Sequence, residues 1–377
     1  MPSTSDDFTI GVEEEFFLVD MASRRMNPVA AAVLPGARTA VGDDPGGGAV
    51  EPELQQCQIE TGTGVCTTLD EVAAELGRLR RAVSDAAREA GSAIASSGSL
   101  PLGFVEASRV TPKPAYLRLE RDYRLVTREQ LVCGCHVHIG LADREMAIRV
   151  MNRARSWLPV LLALTTNSPF WREADSGYAS FRTEVWQRWP TAGTPSTFGS
   201  RADYDALVDD LLAVDAIDDR ARIYWDIRPS AKYDTLEFRV GDANLTLGET
   251  VMTAGLVRAI VGTCHRQELD GERWADPRPE LRRAANWRAA RFGLEGTLVD
   301  LDARRSRPAP EIVGHMLEVL RPALVESGDW ERVSDLVASV VSGGTGAARQ
   351  RRAFARRHRL EDVVDYVFAE TEPRQSG

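Results

Sequence analysis

Thr9-Ile10-Gly11-Val12-Glu13-Glu14-Glu15-Phe16-Phe17-Leu18-Val19 sets three consecutive glutamates inside an otherwise apolar run. Side chains alternate between the two faces of a strand. As a strand, this stretch turns Ile10, Val12, Glu14, Phe16 and Leu18 to one side and Glu13 and Glu15 to the other. Two carboxylates at i and i+2 stand roughly 6.5–7 Å apart at their Cα atoms, and glutamate is a poor strand former. Unpaired, they repel. Two arrangements relieve that repulsion: arginine partners on a solvent-facing strand, or a divalent cation held between the carboxylates.

Three further segments divide into an apolar and a polar face. In Leu131-Val132-Cys133-Gly134-Cys135-His136-Val137-His138-Ile139, the two histidines share one side. Cys133, Cys135, Val137 and Ile139 share the other, so the cysteines read as small core residues rather than ligands. In Thr235-Leu236-Glu237-Phe238-Arg239-Val240, Glu237 and Arg239 face away from three apolar neighbours, and residues 50–60 add Glu51, Glu53 and Glu60 in an extended setting. Four such segments describe a sheet whose polar face lines a cleft.

A His-x-His pair alone suits zinc, but oxygen donors outnumber nitrogen here, and carboxylate-rich sites favour Mg²⁺ or Mn²⁺, usually in the service of substrate phosphates. The common phosphate loops, G-x-x-x-x-G-K-[ST] and G-x-G-x-x-G between a strand and a helix, are absent. Phosphate binding therefore falls to metal ions and to Arg239, Arg228 and Lys232. Gly343-Gly344-Thr345-Gly346, followed by Arg349, Gln350 and Arg351, is either a further anion loop opening a helix or a plain helix start with a solvated basic face.

The chain has 377 residues, 43% hydrophobic and 27% charged. That composition is globular and excludes disorder, collagen and a small disulfide scaffold. With 46 basic against 56 acidic residues the net charge is −10, which argues against general attraction to nucleic acid or to an anionic membrane. Lysine occurs only at Lys113 and Lys232, a compositional bias, so each arginine needs a local argument. Five cysteines, an odd number, read as reduced thiols in a cytoplasm. The first seven residues lack the basic and apolar regions of a secretory signal. The longest uncharged apolar run, 157–171, contains Pro159, Asn167 and Pro169 and falls short of the ~20 residues of a membrane helix. A cytoplasmic protein is expected.

No repeat or low-complexity linker divides the chain, so one domain over 1–377 is expected. The pattern predicts a strand over 8–19, a Gly/Pro loop over 42–49, an extended stretch over 50–60 and a helix over 68–93 with Asp70 and Glu71 favouring its first turn. It continues with a loop over 101–114, a strand over 130–140, an apolar helix over 143–164, an irregular segment over 167–199 and a helix over 204–213. Strand-like runs follow over 221–228 and 235–240, then an almost wholly helical, arginine-rich part over 246–370. Segments 43–48 and 173–199 are loop-like enough to close as lids. Strands interrupted by helices without regular βαβ spacing mark the α+β class with a largely antiparallel sheet.

Taken together, Thr9-Ile10-Gly11-Val12-Glu13-Glu14-Glu15-Phe16, Cys133-Gly134-Cys135-His136-Val137-His138-Ile139-Gly140, Asn167-Ser168-Pro169-Phe170-Trp171, Gly177-Tyr178-Ala179-Ser180-Phe181-Arg182 and Leu236-Glu237-Phe238-Arg239 are informative as a set. This conjunction resembles the carboxylate-amine ligases of the glutamate-cysteine ligase type 2 family, over residues 8–368. The resemblance implies a glutamine-synthetase-like catalytic fold: a curved, mainly antiparallel sheet with helices on its outer side, and ATP and two or three Mg²⁺ ions over its polar face. It implies Glu13, Glu15, Glu53 and Glu60 as metal ligands and His136 with Glu237 as a further metal pair. Arg239, supported by Arg228, handles the transferred phosphoryl group. Arg182 clamps a substrate carboxylate, since a planar guanidinium pairs with it bidentately, and Lys232 joins it in binding substrate. The implied reaction activates a carboxylate, that of the glutamate side chain, as an acyl phosphate and joins it to cysteine or another small amine, with weak glutamate-cysteine ligase activity. The partners are then small molecules, with no nucleic acid and no membrane, and a homodimer rests on the resemblance alone. The competing readings are a Mg²⁺-dependent ATP hydrolase or phosphotransferase with a non-carboxylate acceptor, and a catalytically silent binding protein on the same fold.

Overall fold

The computed structural model describes residues 8–42, 47–104 and 109–372. Its strands are β1 (Ile10–Asp20), β2 (Ala49–Pro52), β3 (Gln58–Gly62), β4 (Ser92–Ala95), β5 (Gly134–Gly140), β6 (Phe170–Trp171), β7 (Ala174–Asp175), β8 (Ile227–Pro229) and β9 (Thr235–Asp242). Seven of them form one sheet in the order β2-β3-β1-β5-β9-β8, with β4 also paired to β1, and every pairing is antiparallel. Strand β1 runs through the middle, bonded to β3, β4 and β5. The α+β class and the mainly antiparallel sheet are as expected.

The alternation of β1 decides what covers the sheet. Ile10 and Val12 join Val137, Ile139, Leu236 and Phe238 in a core roofed by the helices Arg144–Ala154, Leu158–Thr165 and Leu247–Leu269. Further along the same side, Phe16 and Leu18 pack with Ile59 and Ile94 against Ala30–Val41 and Leu69–Glu89. Glu14 lies on this apolar side, as the alternation requires, and is fully buried. Arg80, from Leu69–Glu89, meets it with Nε at 2.9 Å from Oε2 and Nη2 at 2.6 Å from Oε1, and the Thr250 hydroxyl donates to Oε1 at 2.6 Å. The remaining Arg80 donors reach the carbonyls of Thr371 and Asn244. A buried carboxylate is tolerated when paired and fully hydrogen-bonded in this way.

Helix Leu69–Glu89 starts where the sequence places it, capped by Thr68, whose hydroxyl accepts from the Glu71 amide while Glu71 accepts from the Thr68 amide. It ends earlier than expected, because Gly91 turns through φ 71° into β4. The five cysteines are free and buried. No helix among the described residues is long and apolar enough to cross a membrane.

Several expectations are corrected. The helix over 143–164 is two helices separated by the 3₁₀ turn Arg155–Trp157. Pro159, lacking an N–H, opens the second rather than continuing the first. The run 221–228 holds a 3₁₀ turn, Arg220–Arg222, and only the short β8, while the extended stretch over 50–60 is two strands with Glu53 in the turn between them. The part after 246 contains the hairpin Thr297–Asp300 and Arg305–Pro308 as well as helices. Of the two proposed lids, residues 43–46 lie outside the described residues. Segment 173–199 is built into the fold: it contains the helix Phe181–Trp186, and Ala179, Ser180, Arg182, Val185 and Trp189 are buried. Of the two readings of the glycine loop at 343–346, the structure shows the helix start. Thr345 caps Gly346–Arg357, the Ala347 amide donates to the Thr166 carbonyl at 3.0 Å, and Arg349 is paired with Glu249.

Arg80→Ala leaves Glu14 buried without its cation. It is expected to cost about 3–5 kcal/mol of unfolding free energy, measured by urea titration. A loss under about 1 kcal/mol would show that the pair does not anchor β1.

Candidate active site

Three transverse rows on the polar face bring the acidic and imidazole groups together. Glu15 of β1 stands beside Glu60 of β3, which stands beside Glu51 of β2. Glu13 stands beside His136 of β5. His138 stands beside Glu237 of β9, which stands beside Arg228 of β8. Between Cys135 and Val137 the register against β9 slips, so that Arg239 and Val240 face the single residue His136. This bulge aims Arg239 into the cluster, the usual effect of bulges beside functional sites.

His136 Nδ1 lies 3.0 Å from Glu13 Oε2 and His136 Nε2 lies 3.6 Å from Glu15 Oε1. His138 Nε2 lies 3.4 Å from Glu13 Oε1 and 4.0 Å from Glu237 Oε1, while its Nδ1 meets the Thr235 hydroxyl at 3.0 Å. Arg239 ion-pairs with Glu237, and Arg228 adds a second pairing with Nε 2.8 Å from Oε2. Glu53 accepts from the Tyr116 hydroxyl at 3.4 Å.

The carboxylates divide into two electrical groups. Burial raises all of them, but the imidazoles of His136 and His138 hold Glu13 well below the usual range, and Arg239 and Arg228 do the same for Glu237. Glu15 is pushed up to about 8 by burial and the charge of Glu53, despite Arg182, and burial also raises Glu53. Glu60 is raised well above the usual range by burial and by the charges of Glu13, Glu53 and Glu15. Burial and the nearby Arg239 push His136 down to about 4, so its ring is neutral. With Glu13 ionised, Nδ1–H of that neutral ring donates to it, and the Nε2 lone pair faces the carboxylates.

Donor chemistry fits a hard divalent cation. One donor atom from each of Glu13, Glu60 and His136 converges within 4.8 Å, and so does one from each of Glu13, His138 and Glu237. Both Nε2 atoms are buried without a hydrogen-bond partner. Ionised Glu13 and Glu237 and the crowded Glu60, beside imidazole nitrogens with nothing to bind, form a set that a cation would satisfy. The grouping differs from the expected pairing of His136 with Glu237: His138 stands beside Glu237, and Glu13 belongs to both groups.

Of the remaining expected residues, Arg182 reaches the site from Phe181–Trp186. Its guanidinium lies so close over Gly134 that a Cβ there would collide with it, and the Gly134 amide donates to Glu15 at 2.6 Å. Asp242, buried at the end of β9, sets this arrangement. It accepts from the Asn167 amide and the Ser168 and Ser180 hydroxyls, each at 2.7 Å, and Ser168 in turn accepts from the Arg182 amide. Arg228 also donates to the carbonyls of Ala221 and Ile223. Lys232 is exposed on the β8–β9 turn, with its ammonium over the Tyr233 ring. Tyr116, Trp186 and Asp226 belong to the site and were not anticipated. None of the three carried a signal of its own: the spacing of four between Arg182 and Trp186 is informative only on a helix, and that segment reads as irregular. A cavity of about 660 Å³ lies elsewhere, lined by Arg81, Glu249, Gly343, Gly344 and Arg349 among others; it takes in part of the glycine loop at 343–346 but none of the expected metal, catalytic or substrate-binding residues.

A mainly antiparallel sheet that gathers acids, imidazoles and arginines on one face is the architecture of carboxylate-amine ligases. The structure aligns with a glutamate-cysteine ligase of Francisella tularensis solved with AMP, at TM-score 0.71 and 12% identity, covering 97% of this chain and 89% of that one. The chain belongs to glutamate-cysteine ligase family 2 (GCS2), whose sequence model matches residues 9–366. A Frankia alni protein with the provisional name glutamate-cysteine ligase 2-2 is 46% identical over 374 residues, covering 96% of this chain and 97% of that protein. A Rhodococcus jostii relative, provisionally glutamate-cysteine ligase 2-3, is 44% identical over 98% of this chain, which spans only 46% of that longer protein.

Asp226 supplies a test of the site's electrostatics. It is buried, accepts from the Thr194 hydroxyl at 2.9 Å and from Asn286 Nδ2 at 3.3 Å, and is pushed up to about 6 by burial against the hydrogen bond and the charges of Arg182 and Arg239. Its contribution to stability is complete below its unfolded value of 3.8 and is lost as pH rises through about 6. Relative to Asp226→Asn, the wild type should lose up to about 3 kcal/mol across that interval, read by urea unfolding at stepped pH. A flat difference overturns the assignment.

Proposed function

We propose that the chain is an ATP-dependent carboxylate-amine ligase that activates the side-chain carboxylate of glutamate and joins it to cysteine or another small amine, with Mg²⁺ or Mn²⁺ as its cofactor. One observation carries this reading: on a single sheet face, clustered carboxylates stand around two buried imidazole nitrogens that have no hydrogen-bond partner, with the guanidiniums of Arg239, Arg182 and Arg228 beside them. Such a face suits cations and a polyphosphate together. Family membership and the ligase fold support it, as do five buried free thiols, which suit a reducing cytoplasm.

Glu13, Glu60 and His136 would hold one ion and Glu13, His138 and Glu237 another, with Glu15 and Glu53 beside the first. Bound there, the ions would neutralise phosphate oxygens of ATP and polarise the γ-phosphorus. In the first step the substrate carboxylate oxygen bonds to the γ-phosphorus as the bond to the β,γ-bridging oxygen breaks, and ADP leaves. Arg239, always charged and held by Glu237, offsets the charge that spreads over the transferring group. In the second step the amine nitrogen bonds to the acyl carbon as the carbon–oxygen bond breaks, phosphate leaves and the amine loses a proton. Arg182 binds the amino-acid carboxylate. Arg228, committed to Glu237 and two carbonyls, orients that glutamate. Lys232 sits at the rim, where its charge reaches Glu13 and Glu51, and draws in anionic substrate.

The chain with Mg²⁺ and ATP, incubated with paired amino acids led by glutamate and cysteine, should form an amide in step with ADP by mass spectrometry. ADP without amide would favour a hydrolase or a phosphotransferase, and no turnover would favour a binding role. On the productive pair, Arg239→Ala should lower kcat about 10²–10³-fold with little change in the KM for ATP. A pure KM effect would make Arg239 a ground-state binding residue.

Because Glu13 is shared, Glu13→Gln should abolish Mn²⁺ binding at both sites in titrations followed by electron paramagnetic resonance. Glu60→Gln and His138→Asn should each lose one site. Equal losses in all three variants would overturn the two-site grouping.

A further inference from the structure

We propose that Trp186 is a positioning residue that holds the guanidiniums of Arg182 and Arg239 together on its indole; the catalytic consequence rests on the ligase reading above. The helix Phe181–Trp186 places Arg182 and Trp186 four residues apart, on one helical face. The guanidinium carbon of Arg182 lies 5.4 Å from the indole centroid, and that of Arg239, arriving from β9, lies 5.6 Å from it. Both fall within the range of about 6 Å at which a cation is attracted to an aromatic face, and tryptophan offers the strongest such face.

Two neighbouring cations repel, and few hydrogen bonds fix the planes of these two. Both Nε atoms are buried without a hydrogen-bond partner. Arg182 makes one polar contact of its own, from Nη2 to the Arg239 carbonyl at 3.3 Å, and Arg239 is tethered at Nη1 to Glu237. A guanidinium held at one corner still turns, and bidentate recognition of a carboxylate or phosphate depends on its plane. The indole supplies the missing constraint, because it is itself fixed. Its Nε1 donates to the Tyr224 carbonyl at 3.1 Å, and the Tyr224 ring meets it edge-on with centroids 5.3 Å apart. Tyr224, Trp186 and the two arginines thus form a relay of orientation from the chain before β8 into the site.

The test uses the full chain with Trp186→Phe, Trp186→Leu and site-specific tetrafluorotryptophan, which keeps the indole shape and weakens its attraction for cations. Without any substrate, the arginine Nε–H resonances, assigned through Arg182→Lys and Arg239→Lys, should carry a ring-current shift in the wild type and lose it in Trp186→Leu. On the pair turned over by the wild type, Trp186→Leu and the fluorinated protein should raise the KM for the carboxylate and lower kcat, each by about tenfold. Trp186→Phe should return both to within about threefold. A tryptophan that serves packing alone would change melting temperature and active fraction but neither constant, and unshifted Nε–H resonances or unchanged constants in the fluorinated protein would overturn the proposal. If the wild type turns over no pair, the ligase reading fails while the resonances still decide the placement of the two arginines.

Discussion

The ion pair between Glu14 and Arg80 is the interaction on which the arrangement depends. A central strand bonded to three others has no edge at which to lose an acidic residue, and three consecutive glutamates must send one into the core. Arg80 meets both oxygens of Glu14 and Thr250 adds a third donor, so the charge is compensated where water cannot reach it. Register follows. A slip of one residue would bury Glu13 and Glu15 unpaired and expose Ile10, Val12 and Phe16. The same arginine ties Leu69–Glu89 to the carbonyls of Asn244 and Thr371, so the pair also gathers segments that lie far apart in the chain.

The opposite face has the converse problem, too many charges of one sign, and solves it by division. Imidazoles and arginines keep Glu13 and Glu237 ionised, while Glu15, Glu53 and Glu60 are driven toward their protonated forms by burial and mutual repulsion. The first pair is ready to bind a cation without giving up a proton. The second group must release protons to do so, which makes cation affinity rise with pH. Around this face the scaffold is polar but satisfied: Asp242 collects three donors from two distant segments and so positions the helix that carries Arg182. The Asn167-Ser168 and Ser180-Phe181-Arg182 motifs do their work through that carboxylate.

Much of this could be read from the chain. The sides taken by Glu13, Glu14 and Glu15, the shared face of His136 and His138 and the buried Cys133 and Cys135 all follow from alternation, and Thr68 with Glu71 marks its helix start through capping chemistry. The break at Arg155–Trp157 was passed over because the apolar periodicity runs on through Pro159. Helix Phe181–Trp186 was missed because Gly177, Ser180 and the aromatic residues around it carry no apolar period, and its fold comes from docking on Asp242. The glycine loop at 343–346 left two readings open because glycines that admit a phosphate and glycines that admit a neighbouring side chain, here Asn167 against Gly346, look alike in one dimension.

Which way a side chain points within a strand is a matter of local covalent geometry, and the residues of the polar face were therefore settled by the order of amino acids. Which of those residues meet is not local. His138 stands beside Glu237 across about a hundred residues of chain, Glu13 serves two donor groups, and Trp186 receives one arginine from its own helix and another from β9. Those meetings depend on strand order, a one-residue bulge and the docking of a short helix. They are set by long-range pairing and packing free energy, for which no stretch of sequence carries a signature of its own.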